Sequence, residues 1–185
     1  MILYLIRHGE TQGNREHRYV GRTDESLLPE ACAKLKTCQM PPIERLYVSP
    51  MIRCLQTATL LYPQIRQQIV PDFRECDFGM FEYHTYPELR DQPAYQHFID
   101  TAGRSGFPKG EDRDTFQHRC VNAFEHLRQT EKLSKGNIAF VIHGGTIMAL
   151  LDHYSHPHLD YYEWQIANGG YLTVEVIGDR WIART

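Results

Sequence analysis

Short apolar runs alternate along this chain with segments whose apolar residues recur at helical spacing. Runs of the first kind lie at Met1–Ile6, Leu46–Val48 and Ile138–Ile142, and their length and composition predict strands. The second pattern predicts helices over residues 31–38 and 112–133. One face of the longer helix carries five apolar residues: Phe116, Cys120, Ala123, Phe124 and Leu127. The alternation predicts an α/β fold, a three-layer α/β/α sandwich around a mostly parallel central sheet.

The last part of the chain has the pattern of a β-hairpin. Tyr171–Val176 and Trp181–Ala183 are two strand-like runs on either side of Gly178-Asp179. Neither a linker nor a repeat interrupts the chain, and 185 residues with 42% hydrophobic content suffice for one large core. We therefore expect a single domain over residues 1–185.

The first predicted strand runs directly into Arg7-His8-Gly9, followed by Thr11 and Asn14. A neutral imidazole is a good nucleophile towards phosphorus, and the adjacent guanidinium can hold phosphate oxygens in a fork. Thr11 and Asn14 can add neutral hydrogen bonds, with Thr11 also a candidate for a supporting position behind the site. The triplet alone is equally compatible with a polar surface turn. The rest of the chain has to distinguish a phosphate site from such a turn.

Two further strand ends carry the same kind of chemistry. Ser49-Pro50 follows the second strand and predicts a helix start, which puts Arg53 near a helix N-terminus where an anion is favoured. The third strand runs into His143-Gly144-Gly145, whose glycines leave N–H groups free beside a second histidine. Ligands bind at the carboxyl ends of strands in open α/β sheets, so we expect His8 and His143 to lie close together.

These segments resemble the signatures of the histidine phosphatase superfamily, also called the phosphoglycerate mutase-like superfamily. Residues 3–14 match its first signature almost completely, and Ser49–Ala58 match its Ser-Pro-x-x-Arg-x-x-Gln-Thr-Ala segment. The resemblance implies a phosphoglycerate mutase-like fold and a phosphohistidine intermediate on His8. It also implies a set of phosphate-binding residues: Arg7, Arg53, His143 and Gly144, with Asn14 assisting.

The family's acid is a Glu that precedes a Phe-Gly or Tyr-Gly segment, and Glu75 stands in that position ahead of Phe78-Gly79. The resemblance therefore implies that Glu75 protonates the leaving group and acts together with His8 and His143. Asp77 and Glu82 lie nearby in the sequence and are competitors for this role.

The chain departs from the family pattern in two places. Residues 24–31 lack the Thr and Gly that usually precede the first long helix, which leaves the capping of that helix open. Pro108–Asp112 resembles the family's Gly-Glu-Ser turn, with Asp in place of Ser. Glu111 is then either a supporting residue behind the site or a first-turn acid favoured by the helix dipole.

A cap segment is expected within about residues 76–111, between Glu75 and the long helix. Its aromatic residues, among them Tyr83, Tyr86, Tyr95 and Phe98, either form a core or contact the substrate's organic part. Family mutases carry a longer insertion here, so the short cap points to a phosphatase. Within the family, the small size and short cap resemble α-ribazole phosphatase and related small-molecule phosphatases, which makes α-ribazole 5′-phosphate a candidate substrate.

The composition limits which classes of partner and which cellular compartment are expected. A net charge of −3 argues against a nucleic-acid partner. Five cysteines without a Cys-x-x-Cys pair indicate a reducing compartment, and the first apolar run is too short for a signal peptide or a membrane span. We therefore expect a cytoplasmic protein with no membrane partner. Cys54 and Cys76, which adjoin Arg53 and Glu75, are interpreted as small buried residues.

His153, His156 and His158 have a spacing that could suggest a metal site, but the usual carboxylate or Cys ligands are missing from it. We expect no metal and no cofactor. The sequence thus predicts a metal-independent phosphomonoester hydrolase acting on a small phosphorylated metabolite. Two alternatives stay open: a phosphoglycerate-type phosphomutase and a non-catalytic phosphate-binding module.

Overall fold

The computed structural model describes residues 1–133 and 135–184. Within these ranges six strands form one sheet: β1 (Ile2–Arg7), β2 (Arg45–Val48), β3 (Gln67–Ile69), β4 (Asn137–Ile142), β5 (Tyr171–Ile177) and β6 (Arg180–Arg184). Their order across the sheet is β3-β2-β4-β1-β5-β6. The first four are parallel, whereas β5 is antiparallel to both β1 and β6. The predicted mostly parallel sheet and its closing hairpin are confirmed.

The α-helices of the described residues alternate with the strands: α1 (Gln12–Arg15), α2 (Pro29–Lys36), α3 (Ile52–Leu61), α4 (Tyr86–Leu89), α5 (Pro93–Asp100), α6 (Arg113–Thr130) and α7 (Gly144–Tyr154). Short 3₁₀ turns lie at Pro71–Phe73, Gly79–Phe81 and Tyr161–Trp164. The two long helical patterns of the sequence correspond to α2 and α6, each ending two or three residues earlier than predicted. Among the described residues, no helix is both long and apolar enough to cross a membrane.

Alternate residues of the central strands face two separate cores, which makes the protein a three-layer sandwich. On one face, Leu3 and Phe140 pack with buried residues of α6 and α7 such as Phe124 and Leu150. On the other face, Tyr4 and its neighbours on β2 and β4 pack against α3. Strands buried on both faces have to be apolar throughout, which explains the continuous hydrophobic runs that identified them.

The start of α3 differs from the prediction. Ser49-Pro50 was expected to open the helix, but Met51 is still extended, with φ −69° and ψ 138°, and α3 begins at Ile52. Its first N–H group is instead capped from a distant loop, because Ile52 N donates to Asp24 Oδ1 at 2.8 Å. Ser49 is thereby left free for a contact in the site described below.

Within residues 76–111, where the sequence predicts a cap, the chain packs around a small aromatic core. Phe81, Leu89, Tyr95 and Phe98 form this cluster, and Tyr19 packs against it. Tyr19 and Tyr95 also join their hydroxyl groups in a 2.9 Å hydrogen bond. For Tyr95 the interpretation as core is therefore confirmed, while Phe98 both belongs to this core and lines the cavity beside it.

Candidate active site

The register between β1 and β4 brings the two predicted histidines together. Arg7 pairs with Ile142 at the carboxyl ends of the two strands, so His8 and His143 leave the sheet next to each other. Their ring centroids are 5.2 Å apart, and both side chains are buried.

His8 has the protonation pattern of a nucleophile. Its Nδ1 lies 2.7 Å from the carbonyl oxygen of Gly9, which can only accept, so Nδ1 carries the proton and Nε2 keeps its lone pair. Burial lowers the pKa of His8 well below its usual value, and the positive charges of Arg53 and Arg7 lower it further, although the bond to Gly9 opposes them. The imidazole is therefore neutral at physiological pH.

His143 lies against the strand end that carries Ser49. Its Nε2 is 2.7 Å from Ser49 Oγ, and Cys54 Sγ lies 3.6 Å from the same nitrogen. Burial, followed by the charge of Arg53, lowers the pKa of His143 well below its usual value. Burial also raises the pKa of the Cys54 thiol to about 12, so that this cysteine is a small buried residue as interpreted from the sequence.

Arg53 is completely buried and bound by backbone oxygens. Its Nη1 donates to the carbonyl of Thr23 at 2.8 Å and its Nη2 to that of Gly21, also at 2.8 Å, while Nε has no partner among the described residues. The loop that supplies these carbonyls is itself held by Glu82, whose Oε1 accepts from the N–H groups of Gly21 and Thr23 at 3.0 and 2.9 Å. Glu82 thus holds the loop whose carbonyls bind Arg53. The Glu82 side chain does not line the cavity.

Arg7 and Gly144 lie side by side at the same end of the cavity. Arg7 Nη1 donates to the carbonyl of Ile166 at 2.7 Å, and its buried Nε has no partner among the described residues. A Cβ atom on Gly144 would approach that Nε to 3.3 Å, so glycine keeps the space next to it open. As the first residue of α7, Gly144 also has an N–H group without an intrahelical acceptor.

Asn14 and Thr11 form a capping box at the short helix that follows His8. Asn14 Oδ1 accepts from the Thr11 N–H at 3.2 Å, and Thr11 is itself buried, with its hydroxyl against Glu25. Asn14 lines the cavity, whereas Thr11 lies behind it.

Glu75 faces the histidines from the loop that follows the 3₁₀ turn at Pro71–Phe73. Its Oε1 accepts from the Cys76 N–H at 3.0 Å, and its Oε2 accepts from the Gly145 N–H at the start of α7 at 3.1 Å. Burial nevertheless raises the pKa of Glu75, because it outweighs these two bonds and the charges of Arg53 and Arg7. A carboxyl group with a raised pKa is suited to give a proton and take it back.

The structure separates Glu75 from its two competitors. Asp77 Oδ1 accepts from the Gly79 N–H at 2.9 Å, and its Oδ2 pairs with Arg22 at 3.3 Å. Neither Asp77 nor Glu82 lines the cavity, whereas Glu75 does. Arg53 and His143 do not line it either, because both are buried behind its wall.

An ion pair holds the Glu75 loop from behind. Arg119 binds both carboxylate oxygens of Glu111, at 2.8 and 2.6 Å, and donates to the carbonyls of Asp72 at 2.7 Å and of Glu75 at 3.3 Å. Burial raises the pKa of Glu111, but the bonds from Arg119 and from the Asp77 N–H lower it more. Because α6 begins at Arg113 with Asp112 as its N-cap, the interpretation of Glu111 as a first-turn acid is wrong.

Beyond these polar groups the cavity has aromatic walls, and its volume is about 340 Å³. They are formed mainly by Tyr19, Phe78, Phe98, Phe107, Phe116, Tyr161 and Tyr162. Two arginines also line it, and both are paired: Arg18 with Glu16 at 2.6 Å, and Arg113 with Asp152 at 3.3 Å while its guanidinium lies 4.1 Å from the Tyr161 ring centroid. The wall residues from 161 onwards belong to no motif, and the sequence carried no signal for them.

The three histidines of the possible metal spacing do not join the site. His158 lies 3.9 Å from Asp152, outside the cavity wall. Throughout residues 1–133 and 135–184, no group of three or more His, Cys, Asp or Glu side chains is placed to hold a metal ion.

Comparison with known proteins agrees with this geometry. Residues 3–185 match the histidine phosphatase superfamily (branch 1), and the chain belongs to that family. The adenosylcobalamin/alpha-ribazole phosphatase of Salmonella typhimurium is 24% identical over 202 residues, covering 100% of this chain and 99% of that protein. The alpha-ribazole phosphatase structure from Shigella flexneri superposes with a TM-score of 0.85 at 21% identity, covering 100% and 95% of the two chains. The predicted family and the phosphoglycerate mutase-like fold are confirmed.

A second solved structure represents the other activity of the family. The phosphoglycerate mutase structure from Thermus thermophilus superposes with a TM-score of 0.75 at 27% identity, covering 98% of this chain and 96% of that one. Phosphatases and mutases therefore share this fold, and the residues of the cavity have to distinguish the two activities.

The ion pair between Arg119 and Glu111, which holds the Glu75 loop, gives a first prediction. The side chains of Arg119 and Glu111 are only 12% and 15% exposed, so Arg119→Ala leaves a buried carboxylate without its partner. We expect the free energy of unfolding to fall by about 3–5 kcal/mol and the turnover number to fall with it. Urea unfolding of the two proteins measures the first effect.

The matched control is Arg128→Ala, which removes an ion pair with Glu125 in which the arginine is 45% exposed. This change should cost about 0–1 kcal/mol. Equal losses in the free energy of unfolding for the two variants would show that the Arg119–Glu111 ion pair stabilises the protein no more than a surface pair does.

Proposed function

We propose that this protein hydrolyses a phosphate monoester of a small metabolite through a phosphohistidine on His8. The observation that carries the proposal is the hydrogen bond from His8 Nδ1 to the Gly9 carbonyl, which leaves Nε2 unprotonated in a cavity that also holds Glu75. A module that only bound phosphate would need neither a nucleophile nor an acid.

In the first half-reaction, His8 Nε2 forms a bond to phosphorus while the ester P–O bond breaks. Glu75 gives its proton to the departing oxygen. The equatorial phosphoryl oxygens take hydrogen bonds from three groups that line the cavity, the free Nε of Arg7, the Asn14 amide and the Gly144 N–H. Arg53, which is buried outside the cavity wall, adds its positive charge beside His8. The bound dianion also favours protonation of His143, because it offsets the positive charges of Arg53 and Arg7, which lower the pKa of His143 in addition to burial.

In the second half-reaction, water attacks phosphorus and the P–N bond breaks. Glu75, now a carboxylate, accepts the proton of that water, so one group serves both steps. The products are the alcohol, inorganic phosphate and neutral His8. Because the guanidinium groups of Arg7 and Arg53 meet the charge of the transferred group, this route requires no divalent metal ion and no cofactor.

The cavity walls favour a substrate with an uncharged, planar organic group. Aromatic rings can stack on such a group, whereas Arg18 and Arg113 are already paired with carboxylates and offer little to a substrate carboxylate. These features, together with the similarity to the Salmonella phosphatase, support α-ribazole 5′-phosphate over phosphoglycerate. The short cap also shields a phosphohistidine poorly from water, which supports hydrolysis over a mutase reaction.

The nucleophile is tested by His8→Ala, which should abolish turnover with the fold intact. The wild type, quenched in base during turnover of a radiolabelled phosphate ester, should retain an acid-labile, base-stable phosphoryl group that the variant lacks. His153→Ala, a change at a histidine outside the cavity wall, is the matched control and should keep both the label and the activity. Normal turnover by His8→Ala would rule out the mechanism.

The acid is tested by Glu75→Gln with two kinds of leaving group. An alkyl alkoxide leaves poorly without a proton, so the phosphorylation burst on an alkyl phosphate should slow by roughly 10²–10⁴-fold. A nitrophenolate leaves readily unprotonated, and the burst on p-nitrophenyl phosphate should therefore slow much less. Asp77→Asn is the control and should change neither burst. Equal losses for both esters in Glu75→Gln would show that Glu75 is not the acid.

The substrate class is tested by kcat/KM for α-ribazole 5′-phosphate, O-phosphoserine and 3-phosphoglycerate. We expect the first to exceed the other two by on the order of a hundredfold, since stacking and burial of a large planar group contribute a few kcal/mol. Isomerised 3-phosphoglycerate in the presence of a bisphosphate primer, without release of free phosphate, would instead identify a mutase.

A further inference from the structure

Residues 166–170, which lead into β5, hold the end of β1 where the nucleophile begins. The carbonyl of Ile166 accepts from Arg7 Nη1 at 2.7 Å. The Gly169 N–H donates to the carbonyls of Arg7 and His8 at 3.1 and 2.9 Å, and the carbonyl of Gly170 accepts from the Arg7 N–H at 3.0 Å. This segment therefore fixes both phosphate-site residues of the first strand end from the far end of the chain.

One side chain of this segment reaches a proposed phosphate ligand directly. Asn168 Nδ2 donates to Asn14 Oδ1 at 3.0 Å and to the carbonyl of His8 at 3.3 Å. An amide NH₂ group carries two hydrogens, so both bonds can form at once. The residues joined in this way are 154 and 160 positions apart in the sequence.

The orientation of the Asn14 amide decides whether it can bind phosphate. A phosphoryl oxygen only accepts, so the amide must present Nδ2 to it and turn Oδ1 away. Oδ1 meets two groups that can only donate here, the Thr11 N–H at 3.2 Å and the Asn168 amide. The Thr11 hydroxyl at 3.0 Å could serve either orientation and does not decide. In the reversed orientation, the NH₂ group of Asn14 would face two other donors, the Thr11 N–H and the Asn168 NH₂ group.

We infer that Asn168 is a positioning residue, which fixes the Asn14 amide so that Nδ2 faces the transferred phosphoryl group. The inference rests on the proposed function of the cavity. Asn168→Ala removes one of the two donors that hold Oδ1. Asn168→Asp has nearly the same shape but replaces the donor by an acceptor, which draws Nδ2 of Asn14 away from the cavity and presents Oδ1 to the phosphate.

The test is binding of orthovanadate, a phosphate analogue, measured by isothermal titration calorimetry on the whole protein. Asn168→Ala should weaken binding on the order of tenfold, which is the effect of losing one hydrogen bond to a charged group. Asn168→Asp should weaken it more than Asn168→Ala does. In an Asn14→Ala background, the further change Asn168→Ala should weaken binding by less than about twofold. Asn122→Ala, at an exposed position of α6, is the matched control and should change nothing.

The double variant separates positioning from a general structural role. If Asn168→Ala weakens vanadate binding equally with and without Asn14, or if Asn168→Asp binds as tightly as Asn168→Ala, the inference is overturned. Wild-type binding that no Asn168 substitution changes also overturns it, while the proposed function stands. Failure of the wild type to bind vanadate at all would overturn the proposed function, and the inference with it.

Discussion

The parallel pairing of β1 with β4 is the interaction on which the rest of the site depends. It sets Arg7 opposite Ile142, so the two histidines that follow leave the sheet side by side. A slip by one residue would turn the apolar side chains of either strand to the wrong core, because both faces of these strands are buried. The cost of such a slip is the cost of unpacking the centre of the protein. The packing of the core therefore also keeps His8 and His143 next to each other.

The second constraint is burial of charge without neutralisation. Backbone carbonyls accept from the N–H groups of Arg53, so its burial is tolerated although no carboxylate of the described residues forms a salt bridge with it. The same exclusion of water acts in opposite directions on two other groups. It lowers the pKa of His8 and raises that of Glu75, which favours the neutral imidazole and the neutral carboxyl group. The proposed first half-reaction uses these two states, and burial favours both of them.

The sequence predicted the strand ends well because their determinants are local: apolar runs followed by glycine and by groups that bind anions. It failed where a distant contact overrides a local preference. Ser49-Pro50 is a favourable helix start, yet α3 begins at Ile52, where Asp24 caps the first N–H group, and Ser49 instead contacts His143, 94 residues away. Local rules equally allowed Glu111 a place in the first turn of α6, but the helix begins after the N-cap Asp112, and Glu111 pairs with Arg119 instead. Asn168 could not be found at all, since its neighbours in space lie at the other end of the chain.

Chemistry and substrate choice come from different parts of the molecule. The polar end of the cavity, where phosphate binds in the proposed function, is built on the end of β1 and on the start of α7, whose positions the sheet fixes. The aromatic walls come from residues 78–107 and 161–162, together with Tyr19 and Phe116, and none of these residues lies in a strand of the sheet. Wall residues such as Phe98 or Tyr162 can therefore change without disturbing the register that aligns the histidines. A family built in this way can vary its substrates and even exchange hydrolysis for phosphoryl transfer to another acceptor. This accounts for a phosphatase and a mutase among the structures that share this fold.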